Sequence, residues 1–267
     1  MSVKSIQFNS FSLQSTNWKT KDIIYRNLPE KNVDINLKSR RDGFDVVNTY
    51  YSQKVITIEG TVISDTEANL KILVDNMKES LSTDEANLDI NDGGTTLRYV
   101  CSVQNIAIPE EHYNITHLPY KISFICQPFA MLTSTTTDTN SIANTSPSPF
   151  TDTINPIGSA KPKPTLKWTC SGAPSAAITQ ISFTNSTTGD TITVGSLALD
   201  ANGDYLEIDC DAMTVKVSHD GGAATDIDYT GVFPDFSANS NNYSITITGG
   251  GATWNLAQII TYYPSYL

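Results

Sequence analysis

With 267 residues, the chain can bury the core of one large β domain or of two ordinary ones. Its net charge of −11 argues against nucleic acid as a partner, because a phosphate backbone requires a concentrated Lys/Arg surface. The sequence has no stretch that could cross a membrane and no signal-peptide run at its start, so we expect no membrane insertion and folding in a cytosol.

Apolar and polar residues alternate in short runs through the first half of the chain, which is the pattern of half-buried β-strands. The predicted strands cover residues 5–13, 22–28, 33–38, 44–51, 54–63, 87–90, 95–108 and 120–126. Residues 1–135 hold 13 Lys or Arg against 16 Asp or Glu, whereas residues 136–267 hold 4 against 12. We therefore expect polar contacts with other proteins in the first half.

One segment has the period of a helix instead. Its apolar residues fall at the spacing that lines one helical face: Leu70, Leu73, Val74, Met77 and Leu81. Ser64 and Glu67 match a capping box, in which each side chain accepts a hydrogen bond from a free backbone N–H at the helix start. The pattern predicts an amphipathic helix over residues 64–81.

The four cysteines are predicted to be reduced core thiols. Each lies in an alternating run, in phase with apolar neighbours, and none forms a CxxC pair: Cys101, Cys126, Cys170 and Cys210. A cytosolic protein keeps its thiols reduced, so we expect reductant to leave its stability unchanged. A disulfide is the alternative.

Residues 133–153 are predicted to be a linker or a long exposed loop. Twelve of these twenty-one residues are Ser or Thr, a composition that buries little apolar surface. The linker would separate an N-terminal domain, residues 1–132, from a C-terminal domain, residues 154–267. We expect proteases to cut there first.

Short strands separated by turn residues are predicted after the linker, over residues 165–170, 178–184, 191–194, 205–210, 213–218, 226–229, 243–248 and 254–263. Strands at this spacing, with no helix between them, form a sandwich or a jelly roll.

No set of side chains predicts a reaction. The three histidines lie in predicted bends and turns: His112, His117 and His219. The run from Asp200 to Asp204 resembles half of a calcium loop but has Tyr205 where the loop needs glycine, so a plain β-turn is favoured. Asp226 and Asp228 share a strand face and are interpreted as solvated carboxylates. We expect no enzyme, no metal and no cofactor.

The densest charge cluster joins two predicted strands and contains Lys38, Arg40, Arg41 and Asp42. It is either a solvated hairpin tip or a contact between subunits, since Arg is enriched at protein interfaces. We take these four residues as the candidate subunit interface.

Several stretches carry a resemblance to a known family: Val55-Ile-Thr-Ile-Glu-Gly-Thr-Val62, Leu97-Arg-Tyr-Val100, Ile122-Ser-Phe-Ile-Cys-Gln-Pro128 and the helix between the first two. Together they resemble the N-terminal domain of the distal tail protein (Dit) family of long non-contractile-tailed phages. The second half is similar to the C-terminal sandwich of that family through Lys163-Pro-Thr-Leu-Lys-Trp168 and Gly203-Asp-Tyr-Leu-Glu-Ile-Asp209.

The resemblance implies a mainly β fold. An N-terminal β-sandwich or split barrel with one α-helix would precede a C-terminal all-β sandwich that is galectin- or jelly-roll-like. It also implies a hexameric ring at the distal end of the virion tail, assembled in the host cytoplasm. The ring would join the tail-tube protein to the tail hub protein and, in some phages, hold a receptor-binding protein.

Two alternatives stay open. One is a tail-tube protein with an outer β domain. The other is a carbohydrate-binding accessory protein that uses exposed aromatic residues such as Tyr262 and Tyr263.

Overall fold

The computed structural model describes residues 3–38, 42–109 and 116–267, which fold as two compact units, Met1–Thr133 and Ser134–Tyr266. The elements of the first unit are β1 (Val3–Phe8), β2 (Phe11–Ser12), β3 (Trp18–Ile24), β4 (Lys31–Leu37), β5 (Phe44–Tyr51), β6 (Lys54–Ile63), α1 (Glu67–Leu81), β7 (Ala86–Asp92), β8 (Thr95–Ala107), β9 (His117–Cys126) and β10 (Ala130–Leu132).

The elements of the second unit are β11 (Thr136–Ala143), β12 (Phe150–Ile154), β13 (Thr165–Cys170), β14 (Ile178–Asn185), β15 (Asp190–Val194), β16 (Tyr205–Asp209), β17 (Thr214–Ser218), β18 (Thr225–Asp226), β19 (Thr230–Gly231), β20 (Asn241–Gly249), β21 (Asn255–Tyr262) and β22 (Ser265–Tyr266). The mainly β fold predicted from the sequence is confirmed.

One antiparallel sheet forms the body of the first unit, in the strand order β2-β1-β7-β8-β9-β6-β3, with β10 added beside β8. Leu13 connects the two ends of this order. Its N–H donates to the Ile6 carbonyl at 2.9 Å, and its own carbonyl accepts from Thr20 Oγ1 at 2.8 Å. The sheet therefore bends back on itself as a split barrel, around a core that includes Phe8, Ile56, Ile58, Leu88, Ile122 and Phe124.

The helix begins later than its predicted start. Thr66 is the N-cap, with an extended backbone, and its Oγ1 accepts from the Asn69 N–H at 3.2 Å. Ser64 is buried, and its N–H donates to the Thr116 carbonyl at 2.9 Å. The predicted capping box of Ser64 with Glu67 is thus wrong, because the closer threonine hydroxyl reaches the first free N–H groups.

The apolar face of α1 packs against β6. Its buried residues are Leu70, Val74, Met77 and Leu81, as the spacing predicts, whereas Leu73 at the margin of the face is only half-buried. A stripe of this width fixes the helix on the sheet through apolar burial.

The prediction of four reduced thiols is wrong for two of them. All four cysteines are buried, but Cys101 and Cys126 form a disulfide, with their Cα atoms 4.0 Å apart. These two residues are direct partners in the register of β8 with β9. Strand register cannot be seen in sequence spacing, so a 25-residue separation gave no sign of the pair. Cys170 and Cys210 are free buried thiols, and burial raises their pKa to about 11 and about 12.

The second unit is a sandwich of two antiparallel sheets. Sheet 1 has the order β11-β21-β13-β16-β17-β18, and sheet 2 has the order β12-β20-β14-β15-β19. Their facing sides enclose one apolar core, which includes Trp168, Ile181, Phe183, Leu206, Phe236 and Ile245. Inward and outward residues alternate along each strand, because successive side chains point to opposite faces.

The interpretation of residues 133–153 as a linker is also wrong. β11 pairs with β21 over eight register positions, from Thr136 to Ala143, and β12 pairs with β20. Ile142 and Ile154 enter the sandwich core, at 1% and 4% exposure. The Ser and Thr residues between them lie on outward or edge positions, where strands tolerate polar side chains.

The run from Asp200 to Asp204 closes a turn. The Asp204 carboxylate is fully buried and accepts three backbone N–H groups, those of Asp200, Ala201 and Asp220, at 2.8–3.0 Å. Burial raises the pKa of Asp204, but the three hydrogen bonds and nearby His219 outweigh burial and leave the pKa lowered.

Candidate subunit interface

Strands β4 and β5 form an antiparallel hairpin that pairs with no other described strand. We call Lys31–Leu37 together with Phe44–Tyr51 the arm. At its base, Tyr51 packs edge-on against Phe129, with ring centres 5.5 Å apart, and the Ser52 N–H donates to the Glu30 carbonyl at 2.8 Å. The arm is thus attached to the first unit at its base.

One face of the arm is apolar and exposed. Leu37 lies opposite Phe44, and Ile35 lies opposite Val46, so these four side chains share one side of the hairpin. All four are about half exposed or more: Leu37 is 80% exposed, Phe44 55%, Ile35 48% and Val46 53%. Val33, also on this side, is 46% exposed.

The other face of the arm carries the opposed polar pairs Asn36–Asp45 and Asp34–Asn48 and, nearer the base, the pair Asn32–Tyr50. An isolated two-stranded hairpin is marginally stable in water. An apolar face on one side makes it less favourable still, because that face exposes apolar surface to water. The amphipathic pattern is that of a strand pair built to bury one side against another surface.

The predicted interface residues Lys38 and Asp42 lie at the far end of the arm. The Lys38 Nζ forms an ion pair with Asp45 Oδ1 at 2.9 Å, and Asp42 is exposed. Arg40 and Arg41 lie outside the described residues. The sequence thus singled out the end of the arm by its charge and missed the apolar face beside it. The signal was present as Val33, Ile35 and Leu37 at period two, but alternation shows only that a strand is two-sided, not that one side lacks a partner.

A second surface of the first unit lies along β3, which ends the strand order and pairs only with β6 among the described strands. A groove of about 680 Å³ follows it, lined by Ile6, Gln14 and residues 20–27. Ile24 in this groove is 47% exposed. Beside it, Asp92 accepts hydrogen bonds from the Tyr25 hydroxyl, at 2.6 Å, and from Arg26, so the groove wall is held by a charge-assisted network.

Of the two aromatic residues considered for sugar binding, Tyr262 is buried at 3% exposure and only Tyr263, at 45% exposure, is accessible to a ligand. Asp226 and Asp228 are both exposed. In the described part of the chain, no group of three or more His, Cys, Asp or Glu side chains is placed to hold a metal ion, and no helix is long and apolar enough to cross a membrane.

These features describe a two-unit β protein whose first unit has a surface suited to docking another protein. No protein-family model matches the chain, and no curated protein matches it in sequence. Its fold is that of the Dit protein of phage SPP1, described as a paradigm of the hub adsorption apparatus in phages that infect Gram-positive bacteria. The two share 12% identity and a TM-score of 0.69, over 98% of this chain and 99% of that chain.

Two chains of the phage p2 baseplate in its activated conformation, with strontium and with calcium, align with TM-scores of 0.46 and 0.43. The strontium form shares 11% identity, over 96% of this chain and 96% of that chain. The calcium form shares 10% identity, over 96% of this chain and 90% of that chain.

Proposed function

We propose that this chain is a structural, non-enzymatic protein of the distal end of a phage tail, whose first units assemble into a hexameric ring. The ring joins the tail-tube protein to the tail hub protein. The observation that carries the proposal is the exposed apolar face of the arm, on a chain with the fold of SPP1 Dit. Exposed apolar faces of this kind mark protein interaction sites.

A second copy of the chain is the partner that the charges favour for the arm. Lys38, Arg40 and Arg41 concentrate positive charge at its end, while the chain as a whole carries a net charge of −11. Opposite potentials steer the encounter of such a basic cluster with a copy that carries a net negative charge.

The groove along β3 is the surface we assign to receive the arm. The arm and the groove are different surfaces, so the contact is head-to-tail, and a head-to-tail contact whose rotation closes gives a ring. Ile24 supplies exposed apolar area in the groove, and β3 pairs only with β6 among the described strands. The number six comes from the family resemblance.

The second unit carries most of the chain's excess negative charge and would remain outside the ring, available to a receptor-binding protein. A tail-tube protein is the second candidate function, and it predicts long tubes in place of closed rings.

Two variants test the arm-to-groove contact, one with a changed arm and one with a changed groove. We expect Leu37→Asp, on the arm, and Ile24→Asp, in the groove, each to abolish rings, because a charge would be buried in an apolar contact. Ile72→Asp is the matched control: Ile72 is 57% exposed on the outer side of α1 and should leave assembly unchanged. Mass photometry and negative-stain images give the readout.

Mixing the two variants separates the contact types. In a head-to-tail contact, the intact groove of one variant receives the intact arm of the other, so the mixture forms dimers that grow no further. A mixture that stays monomeric, or a Leu37→Asp protein that still forms rings, contradicts the assignment. Long tubes of the unmodified protein would favour the tail-tube function.

A further inference from the structure

An open groove lies at one edge of the second unit, where the chain crosses from β18 in sheet 1 to β19 in sheet 2. Its volume is about 420 Å³, within the range of small-molecule sites. The lining residues are Gln180, Thr193, Gly195, Ser196 and residues 227–230. We call it the edge groove.

Tyr229 gives the edge groove an aromatic wall. Its side chain is 42% exposed, and its ring packs edge-on against Phe233, with ring centres 4.9 Å apart and an angle of 64° between planes. This contact restrains a ring that remains accessible to a ligand. An aromatic face carries negative potential and attracts the weakly positive C–H groups that line one face of a sugar ring.

Polar side chains line the same groove as this ring. The Gln180 amide, the Asp228 carboxylate and the Tyr229 hydroxyl have no side-chain hydrogen bond within the described residues, although each lines the edge groove. An amide donates and accepts, and a carboxylate accepts from two neighbouring hydroxyls. Together they match the dense and mixed hydrogen-bonding groups of a saccharide.

The outer face of sheet 2 continues the polar surface beyond the groove. Strand register places Thr151, Ser244, Thr184 and Thr191 in one row across four strands, and Thr246, Ser182, Thr193 and Thr230 in the next. Hydroxyls within these rows bond each other, as Ser182 Oγ and Thr193 Oγ1 do at 2.8 Å. The rows carry no charge, and Thr193 and Thr230 also line the edge groove.

We propose that the edge groove binds a neutral saccharide, with one sugar ring stacked on Tyr229 and its hydroxyls bonded to Gln180 and Asp228. Acidic saccharides are disfavoured, because the only charged side chain lining the groove is the Asp228 carboxylate and residues 136–267 hold 12 acidic residues against 4 basic ones. The site lies within the second unit and does not depend on ring formation by the first.

The experiment begins with an array of neutral and acidic glycans, probed with the full chain, and continues by calorimetry on each neutral glycan that binds. Tyr229→Ala should weaken binding about tenfold or more, and Asp228→Asn should weaken it to a smaller extent. Tyr229→Phe keeps the stacking ring and should retain most of the affinity. Tyr263→Ala is the matched control, because Tyr263 is 45% exposed in the same unit and lies away from the edge groove lining.

A neutral glycan whose binding is lost in Tyr229→Ala and kept in Tyr229→Phe and Tyr263→Ala supports the proposal, provided that the melting temperatures of the variants agree. An array without neutral binders overturns it, as does a preference for acidic glycans. Binding that disappears with Tyr263→Ala instead would place the site elsewhere in the second unit.

Discussion

Lys54 is a charged residue at the start of β6 that is only 2% exposed. Its Nζ lies 3.5 Å from the Tyr99 hydroxyl and 5.1 Å from the centre of the Tyr99 ring, and it has no ion pair with a described carboxylate. Burial lowers the pKa of Lys54 from its usual value of 10.5. The cation-π contact offsets only part of the desolvation cost of the ammonium group.

Lys54→Met should therefore stabilise the first unit by about 1 kcal/mol at neutral pH, because it removes the buried charge and keeps the side-chain volume. In the original protein, the unfolded chain binds more protons than the folded chain between the lowered pKa and 10.5, so stability rises with pH there. The variant should lack this rise, as measured by urea unfolding across that window. Lys121→Met, at the exposed ion pair with Glu59, is the control and should show no gain.

At the scale of the residue, sequence patterns predicted burial better than they predicted partners. The four cysteines were placed in the core correctly, yet the disulfide between Cys101 and Cys126 was missed. Burial follows from the alternation of a single strand, which the sequence contains. A partner follows from the register of two strands, which sequence separation does not encode.

At the scale of the element, the helix is defined by its buried face. Met77 is fully buried on that face, whereas Lys71 is exposed and pairs with Glu67 at 3.0 Å. Met77→Asp should lower the free energy of unfolding by about 4 kcal/mol or prevent folding, because it buries an unpaired charge. Lys71→Asp should cost less than about 1 kcal/mol. Equal losses in thermal melts of the two variants would contradict the placement of the apolar face.

The disulfide joins two neighbouring strands of the first unit. It closes a loop with a sequence separation of 25, so reduction should lower stability by about 3 kcal/mol through the greater freedom of the unfolded chain. Melting with and without dithiothreitol should therefore differ, contrary to the expectation from the sequence. Cys170→Ala with Cys210→Ala should preserve this difference, and Cys101→Ala with Cys126→Ala should remove it. A thiol count of four on the denatured, unreduced protein would contradict the pairing.

Strand β11 lies in the segment that composition predicted to be a linker. Its eight register pairs with β21 hold the backbone extended within sheet 1, so a protease cannot readily bend it into an active site. Limited proteolysis with a broad-specificity enzyme should leave Thr136–Ala143 intact while the second unit stays folded, as checked by mass spectrometry of the first fragments. Early cuts inside β11 would show that its pairing is weak.

At the scale of the whole molecule, charge at the end of the arm should govern assembly. Arg40→Glu with Arg41→Glu reverses two charges next to Lys38 and Asp42, which should weaken rings and reduce the salt dependence of their formation. Sedimentation at several salt concentrations measures both effects. Lys161→Glu with Lys163→Glu, in the second unit, should leave rings unchanged. Rings that tolerate the arginine reversal would leave the apolar face as the sole source of the contact.

Local sequence determined most of the strands, where the helix lies and which face of these elements is buried, since these follow from periods of two and 3.6 residues along one chain. The tertiary structure alone decided that Cys101 meets Cys126, that Thr136–Ala143 completes a sheet, that the arm pairs with no other described strand, and that Gln180 and Tyr229 share a groove. Each of these depends on which strands become neighbours, and neighbours distant in sequence are selected by the packing of the whole core.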